Sequence, residues 1–401
     1  MRSPRIGAAA LLGTAVLVAG CSSSVVGTAE PAGPAAAGPL TELLAQVEVD
    51  AEVDGHVRIS DVAATPDGGF VVLLTGDVAS NHRSVLVDLV QEDGGLAVGE
   101  VIEGPPAVDL GEVHVAPDGT VVALAPVFPA DTSGEGREQD LAVIVLEPGS
   151  DEPDLRRIAA DAELGTPDLG TGVLSPDGAT LYASLRWSVD GDTVNRLAAV
   201  DVATGEVTAS APLGVESPGS TVAYDVALRP DGGLAALVTT DRDAEGDVDG
   251  TVLAQYDADL QPLGDPVEVV DEEESTGYAL AVLPDGAVVV SVVAGEWDTG
   301  EPRLVTVRDG AVQATTVLPG TGVDLVVEPG GQHAYLSHGR PGAGTGVATV
   351  DLTTGETVAD VATCTAGSAD PLALAADGRT LAATAACHGD DDTAELALLV
   401  G

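Results

Sequence analysis

The sequence predicts an all-β fold: a seven-bladed β-propeller of four-stranded antiparallel blades, with an N-terminal strand closing the last blade. Three observations predict it. A short turn motif recurs seven times. Apolar runs with strand spacing flank each copy. The last repeat is one strand short, while an unpaired strand precedes the first.

The turn motif reads Thr65-Pro66-Asp67-Gly68, Ala116-Pro117-Asp118-Gly119, Ser175-Pro176-Asp177-Gly178, Arg229-Pro230-Asp231-Gly232 and Leu283-Pro284-Asp285-Gly286. Two weaker copies are Glu328-Pro329-Gly330-Gly331 and Ala375-Ala376-Asp377-Gly378. Their third residues are 51, 59, 54, 54, 45 and 47 apart. Pro presets φ for the second turn position, Asp suits the third, and Gly accepts positive φ at the end. Runs such as Val62-Ala63-Ala64 before the turn and Phe70-Val71-Val72-Leu73-Leu74 after it make each copy a β-hairpin.

A second hairpin follows in each unit. Its first strand reads Ser84-Val85-Leu86-Val87-Asp88, Leu197-Ala198-Ala199-Val200-Asp201 or Val347-Ala348-Thr349-Val350-Asp351. Four antiparallel strands per unit of this length is a propeller blade. The seventh unit carries three strands, over residues 370–375, 380–386 and 395–400. The unpaired strand over residues 45–53 is expected to complete it and so remove an exposed sheet edge.

The segment from Ser175 to Gly214 resembles a YVTN-type, WD-like propeller repeat. It carries Pro-Asp-Gly, a Leu181-Tyr182 strand, and Val200-Asp201-Val202-Ala203-Thr204-Gly205. Glu328 to Ala362 repeats the pattern with Tyr335-Leu336 and Val350-Asp351-Leu352-Thr353-Thr354-Gly355. The resemblance covers about residues 45–401 and implies the architecture. Propellers of this kind serve as binding platforms and surface proteins, and also as lactonase-like or quinoprotein-like enzymes, so the fold does not choose a function.

The N-terminus points to export. Arg2 and Arg5 precede an uncharged apolar run, Gly7 to Gly20, which has the length of a signal-peptide core. Leu17-Val18-Ala19-Gly20-Cys21 resembles a bacterial lipobox, which implies cleavage after Gly20 and diacylation of Cys21. Residues 22–39, rich in Ser, Ala, Gly and Pro, read as a disordered tether. The expected organisation is a signal peptide (1–20), a lipidated tether (21–40) and the propeller (41–401). The expected location is the extracytoplasmic face of the cell membrane, with the protein held there as a monomer by its lipid anchor.

The chain has 65 acidic residues, 15 Arg and no Lys, for a net charge of −50. Such a surface repels nucleic acid and anionic lipid. Cys364 and Cys387 are the two cysteines beyond Cys21, and in an oxidising compartment they are expected to pair.

Candidate sites fall in two places. The first is the face that carries the loops between second and third strands, where acids cluster at Asp131, Glu135, Glu138 and Asp140, at Asp190 and Asp192, at Glu296, Asp298 and Glu301, and at Asp390 to Asp392. The inter-blade run Asp271-Glu272-Glu273-Glu274 joins them. One loop, Asp241-Arg242-Asp243-Ala244-Glu245-Gly246-Asp247-Val248-Asp249, resembles the short calcium hairpins of integrin-type propellers. That resemblance implies Asp241, Asp243, Glu245 and Asp249 as side-chain ligands and Asp247 as a carbonyl ligand of Ca2+. A solvated acidic loop is the alternative. Trp187 and Trp297 are surface candidates for recognition, with packing as the alternative.

The second place is the channel mouth, six residues before the third turn position, where Asp61, Glu112, Thr171, Asp225, Ala279, Asp324 and Pro371 fall, with Asp370 beside the last. The carboxylates there either pin neighbouring blades through backbone N–H groups or hold a metal or cationic ligand. Tyr224 and Tyr278 belong to the same mouth.

No nucleophile elbow, zinc-protease motif, phosphate loop or Cys-rich metal site is present, and no catalytic residue is assigned. The expected function is a ligand- or protein-binding envelope scaffold with an acidic face. The alternatives are a metal-assisted, lactonase-like hydrolase and a calcium-stabilised structural surface protein.

Overall fold

The structure is a computed structural model. It describes the chain from residue 39 to 400, apart from residues 41, 49–55, 79–80, 93–94, 106–107, 109, 128–139, 160, 162, 168, 190–191, 215–220, 242–247, 272–273, 296–299, 341–343, 365–366 and 388–392.

The fold is a β-propeller of four-stranded antiparallel blades. Among the described residues, six sheets are each built from four consecutive strands. The first blade comprises His56–Ala64, Phe70–Val78, Asn81–Glu92 and Gly95–Glu103. The second comprises Glu112–Val115, Val121–Val127, Asp140–Leu146 and Asp154–Arg157, and the later blades repeat the plan. Their first strands are Leu169–Leu174, Thr221–Leu228, Ser275–Val282 and Thr321–Val327. A further four-stranded sheet joins Gly367–Leu374, Thr380–Cys387 and Thr393–Val400 to Glu42–Glu48, which pairs antiparallel with Thr393–Val400. The first strand of each sheet contacts the first strand of the next, and Gly367–Leu374 contacts His56–Ala64.

The repeated turns have the geometry their composition dictates. The fourth-residue N–H donates to the first-residue carbonyl in all seven, at 3.1 Å for Gly68 and 2.9 Å for Gly119, Gly178, Gly232, Gly286, Gly331 and Gly378. Each of these glycines has positive φ, from 68° to 93°. Two of them also pack tightly on the preceding turn. A Cβ on Gly178 would lie 2.7 Å from the Ala116 Cβ, and one on Gly378 would lie 2.9 Å from Cδ of Pro329.

The turn Asp has a second role. Its carboxylate accepts the N–H two residues on, as Asp118 does from Thr120 at 3.0 Å and Asp285 from Ala287 at 3.0 Å. Those bonds hold both carboxyls below the usual carboxylate range. In the sixth blade Gly330 replaces this Asp. There Glu328, at the first turn position, accepts the N–H groups of Gln332 at 3.1 Å and His333 at 3.0 Å. The same oxygen lies 3.1 Å from Nδ1 of His333.

The cores lie between blades. Val71, Leu73 and Leu86 of the first blade pack with Val113, Ala123 and Ile144 of the second. Val122, Leu124 and Val143 of the second pack with Leu181, Ala183 and Trp187 of the third. A strand buried on both faces therefore reads as a nearly continuous apolar run, as in Val288–Ala294, where all seven residues are buried and Ser291 alone is polar. Cys364 ends the outer strand of the sixth blade and forms a disulfide with Cys387 of the next sheet, with Cα atoms 5.6 Å apart. A closed loop of this size stabilises by about 3 kcal/mol through the unfolded state.

Candidate functional site

The first strands meet around an open cavity of about 550 Å³ at the channel mouth. Asp61, Glu112, Asp225 and Asp324 all line it, with Tyr224 and Tyr278. A local irregularity sets their geometry. The ladder shifts register between Ile59 and Asp61, between Ala223 and Asp225, between Gly277 and Ala279, and between Gly322 and Asp324. Each shift is a β-bulge whose extra residue is Ser60, Tyr224, Tyr278 or Val323. A bulge interrupts ladder pairing and re-aims the neighbouring side chain. Tyr224 is consequently 47% exposed although it sits in an inner strand.

The carboxylates satisfy the backbone that the mouth exposes. Asp61 accepts its neighbour's N–H, from Val62, at 2.8 Å and the N–H of Val113 in the second blade at 2.6 Å. Asp225 accepts from Val226 at 2.7 Å and from Leu280 in the fifth blade at 2.7 Å. Asp324 accepts from Leu325 at 2.7 Å and from Leu372 in the sheet after the sixth blade at 2.7 Å. Glu112 reaches the third blade, accepting from the Gly172 N–H at 2.8 Å and from the Thr171 hydroxyl.

Among the described residues, seven N–H groups and one hydroxyl therefore meet the eight oxygens of four carboxylates. Thr171, Ala279 and Pro371 need no carboxylate of their own, because the blade before each one supplies it. Glu112 is a Glu because Asp61 already serves Val113, which leaves the longer side chain free to cross to the next blade.

These are charge-assisted bonds made in a poorly solvated place. Burial pushes Glu112 and Asp225 up to about 7, and it raises Asp61 and Asp324 above the carboxylate range as well. Repulsion among the four adds to the effect on Asp61 and Asp225. His114, on the same wall, is pushed down to about 4 by burial, and its Nε2 lies 3.9 Å from Glu112 without a hydrogen-bond partner. Among the described residues, no three His, Cys, Asp or Glu side chains stand close enough together to hold a metal ion.

The other expected site residues are placed as follows. Residues 242–247 of the calcium-like loop lie outside the described residues, as do the side chains of Asp241 and Asp249. Cys21, Trp297 and most of the acidic loops also lie outside them, as does the side chain of Asp370. Asp140 is engaged with Arg157, and Glu301 with Arg303 at 2.8 Å. Trp187 is not a surface residue: it is 2% exposed, packs between the second and third blades, and donates its Nε1–H to the Gly165 carbonyl at 3.1 Å. Its place in a strand that faces the neighbouring blade makes packing its role.

No family model matches the chain, and no curated protein matches it. Solved structures do. A chain of the Kuenenia stuttgartiensis hydrazine synthase has a TM-score of 0.59 at 16% identity, covering 88% of this chain and 98% of its own. A chain from a crystal structure of the mitotic checkpoint complex has a TM-score of 0.58 at 15% identity, covering 97% and 99%. At these identities the likeness is one of fold.

The raised carboxylates make stability pH-dependent. The folded state holds protons more tightly than the unfolded state, so this contribution is full below about pH 4 and is lost as pH rises through about 7. His114 opposes it only between about 4 and its ordinary 6.5. The melting temperature is expected to fall from about pH 5 to pH 8 as Glu112 and Asp225 give up their protons. Asp225→Asn should flatten that decline. A melting temperature that rises over the same range, or an unchanged slope in the variant, would contradict the assignment.

Proposed function

We propose that this chain is a cell-envelope lipoprotein whose propeller is a scaffold for a protein partner. In this reading Cys21 carries the lipid, residues 22–40 form the tether, and residues 41–401 form a ring of seven blades. Glu42–Glu48 completes the last blade. Its antiparallel pairing with Thr393–Val400 supports that closure, as does the contact between Gly367–Leu374 and His56–Ala64.

The observation that carries the scaffold reading is the state of the mouth carboxylates. A hydrolase of the metal-assisted kind needs carboxylates free to hold a metal or move a proton. Here all eight oxygens face donors of the protein itself. They hold blades together, and recognition is left to the surface around them, where Tyr224 is exposed, together with the acidic loops that the sequence places between second and third strands. One of the similar solved chains comes from a structure named as a complex, and the same use of the fold is proposed here. The net charge of −50 selects a partner with a basic surface.

Cell fractionation followed by crosslinking in the native envelope tests this. The protein is expected in the membrane fraction with a reproducible protein partner, lost when Asp190, Asp192, Glu296 and Asp298 are changed to their amides. Recovery from the soluble fraction with no partner would contradict it. For the ring, deletion of residues 42–48 should lower the stability of the whole propeller, because it exposes the edge of Thr393–Val400. Unchanged unfolding of the truncated chain would refute the closure.

A further inference from the structure

The sheet after the sixth blade is assembled differently from the other six. Its two outer strands, Thr393–Val400 and Glu42–Glu48, come from opposite ends of the chain. Its inner hairpin, Gly367–Leu374 with Thr380–Cys387, is lightly packed by composition. Thr380–Cys387 carries four Ala and one Leu, where the matching strand of the fifth blade, Val288–Ala294, carries five Val. Smaller side chains bury less apolar area and hold the hairpin less firmly.

The ladder of this hairpin is broken at the channel mouth. Ala369 pairs with Ala385 and Leu372 with Ala383, so Asp370 and Pro371 both lack a ladder partner. Pro371 brings no N–H to the break, and its carbonyl is held instead by the Thr384 hydroxyl at 2.9 Å. Beyond the break three pairs remain: Gly367 with Cys387, Ser368 with Ala386 and Ala369 with Ala385.

The disulfide stands at the end of those three pairs. Cys387 is the residue opposite Gly367, and its sulfur is bonded to Cys364, the last residue of the outer strand of the sixth blade. The covalent bond therefore closes the open end of a short segment that the ladder break cuts off from the rest of the hairpin. That segment leads straight into the mouth. Pro371 lines the mouth cavity, and Leu372 gives its N–H to Asp324 at 2.7 Å.

We propose that the Cys364–Cys387 disulfide is a redox-sensitive latch on one wall of the channel mouth. Closed, it holds residues 367–372 in place; opened by a dithiol, it frees them while the other blades stay folded. The two sulfurs differ in access, since Cys364 is 7% exposed and Cys387 is half-buried. The dithiol's thiolate attacks Sγ of Cys387, the S–S bond breaks, and Cys364 leaves as a thiolate that takes up a proton. The second thiol of the reagent then displaces Cys387 from the mixed disulfide. The protein gains two electrons and two protons, and the dithiol is oxidised to its own disulfide.

Hydrogen exchange of the full chain, oxidised and after dithiothreitol, tests the proposal, with alkylation and mass analysis identifying the thiols released. Reduction is expected to free Cys364 and Cys387 in the folded chain. It should speed exchange about tenfold or more across residues 367–372 and 385–387, Leu372 included, while Val121–Val127 and Val288–Ala294 keep their protection. The double variant Cys364→Ser with Cys387→Ser should show the fast pattern with and without dithiothreitol. A disulfide that stays closed under dithiothreitol, or unchanged exchange across residues 367–372 on reduction, would overturn the proposal. So would equal acceleration in every blade, which would make the bond a staple of the whole fold, or a response to dithiothreitol in the double variant.

Discussion

A backbone N–H turned toward a narrow channel has no ladder partner and little water, and leaving it unpaired costs on the order of 1–3 kcal/mol. Among the described residues, the mouth of this propeller turns seven N–H groups toward carboxylates, one after each bulge or strand start. Four carboxylates answer them, and in doing so each one ties its own blade to the next. The order Asp61, Glu112, Thr171, Asp225, Ala279, Asp324, Pro371 follows from that accounting. A position carries an acid where the preceding blade does not already provide one, or where it must reach onward, as Glu112 does.

The same arrangement explains why so acidic a mouth coexists with an ordered fold. Each buried charge is held by two donors, yet burial still raises all four carboxyls, and repulsion from the others adds to it at Asp61, Glu112 and Asp225. The ring therefore has a pH-sensitive cost, offset by the apolar packing between blades. Small residues contribute to that packing beside the larger ones: Ala235, Ala236, Val288 and Val290 are fully buried, and short side chains let neighbouring sheets approach closely. Turn glycines such as Gly178 and Gly378 extend the close approach to the edge of the interface.

Much of this was legible in the residues. The Pro-Asp-Gly copies mark seven hairpins, because Pro, Asp and Gly each meet a backbone requirement that other residues meet poorly. Counting back from them locates the mouth carboxylates. The bulges were not legible, since a one-residue insertion leaves strand composition unchanged, and without them the direction of Tyr224 cannot be read. Nor was the compensation in the sixth blade, where Glu328 takes over the task of the missing Asp from two positions earlier. Trp187 was open to both readings, because a large aromatic beside an acidic loop suits recognition as well as packing, and tertiary packing buries it between blades. The N-terminal strand was expected over residues 45–53, but it pairs over Glu42–Glu48. Apolar alternation in that stretch supports more than one register.

The most direct measurement of the central claim is amide hydrogen exchange in the wild-type chain and in Asp225→Ala. If the carboxylate is the acceptor that joins the fourth and fifth blades, the amides of Val226 and Leu280 lose protection in the variant. Those of Val113, Gly172 and Leu372, served by other carboxylates, keep theirs. Unchanged protection at Val226 and Leu280, or an equal loss at all five amides, would contradict the account.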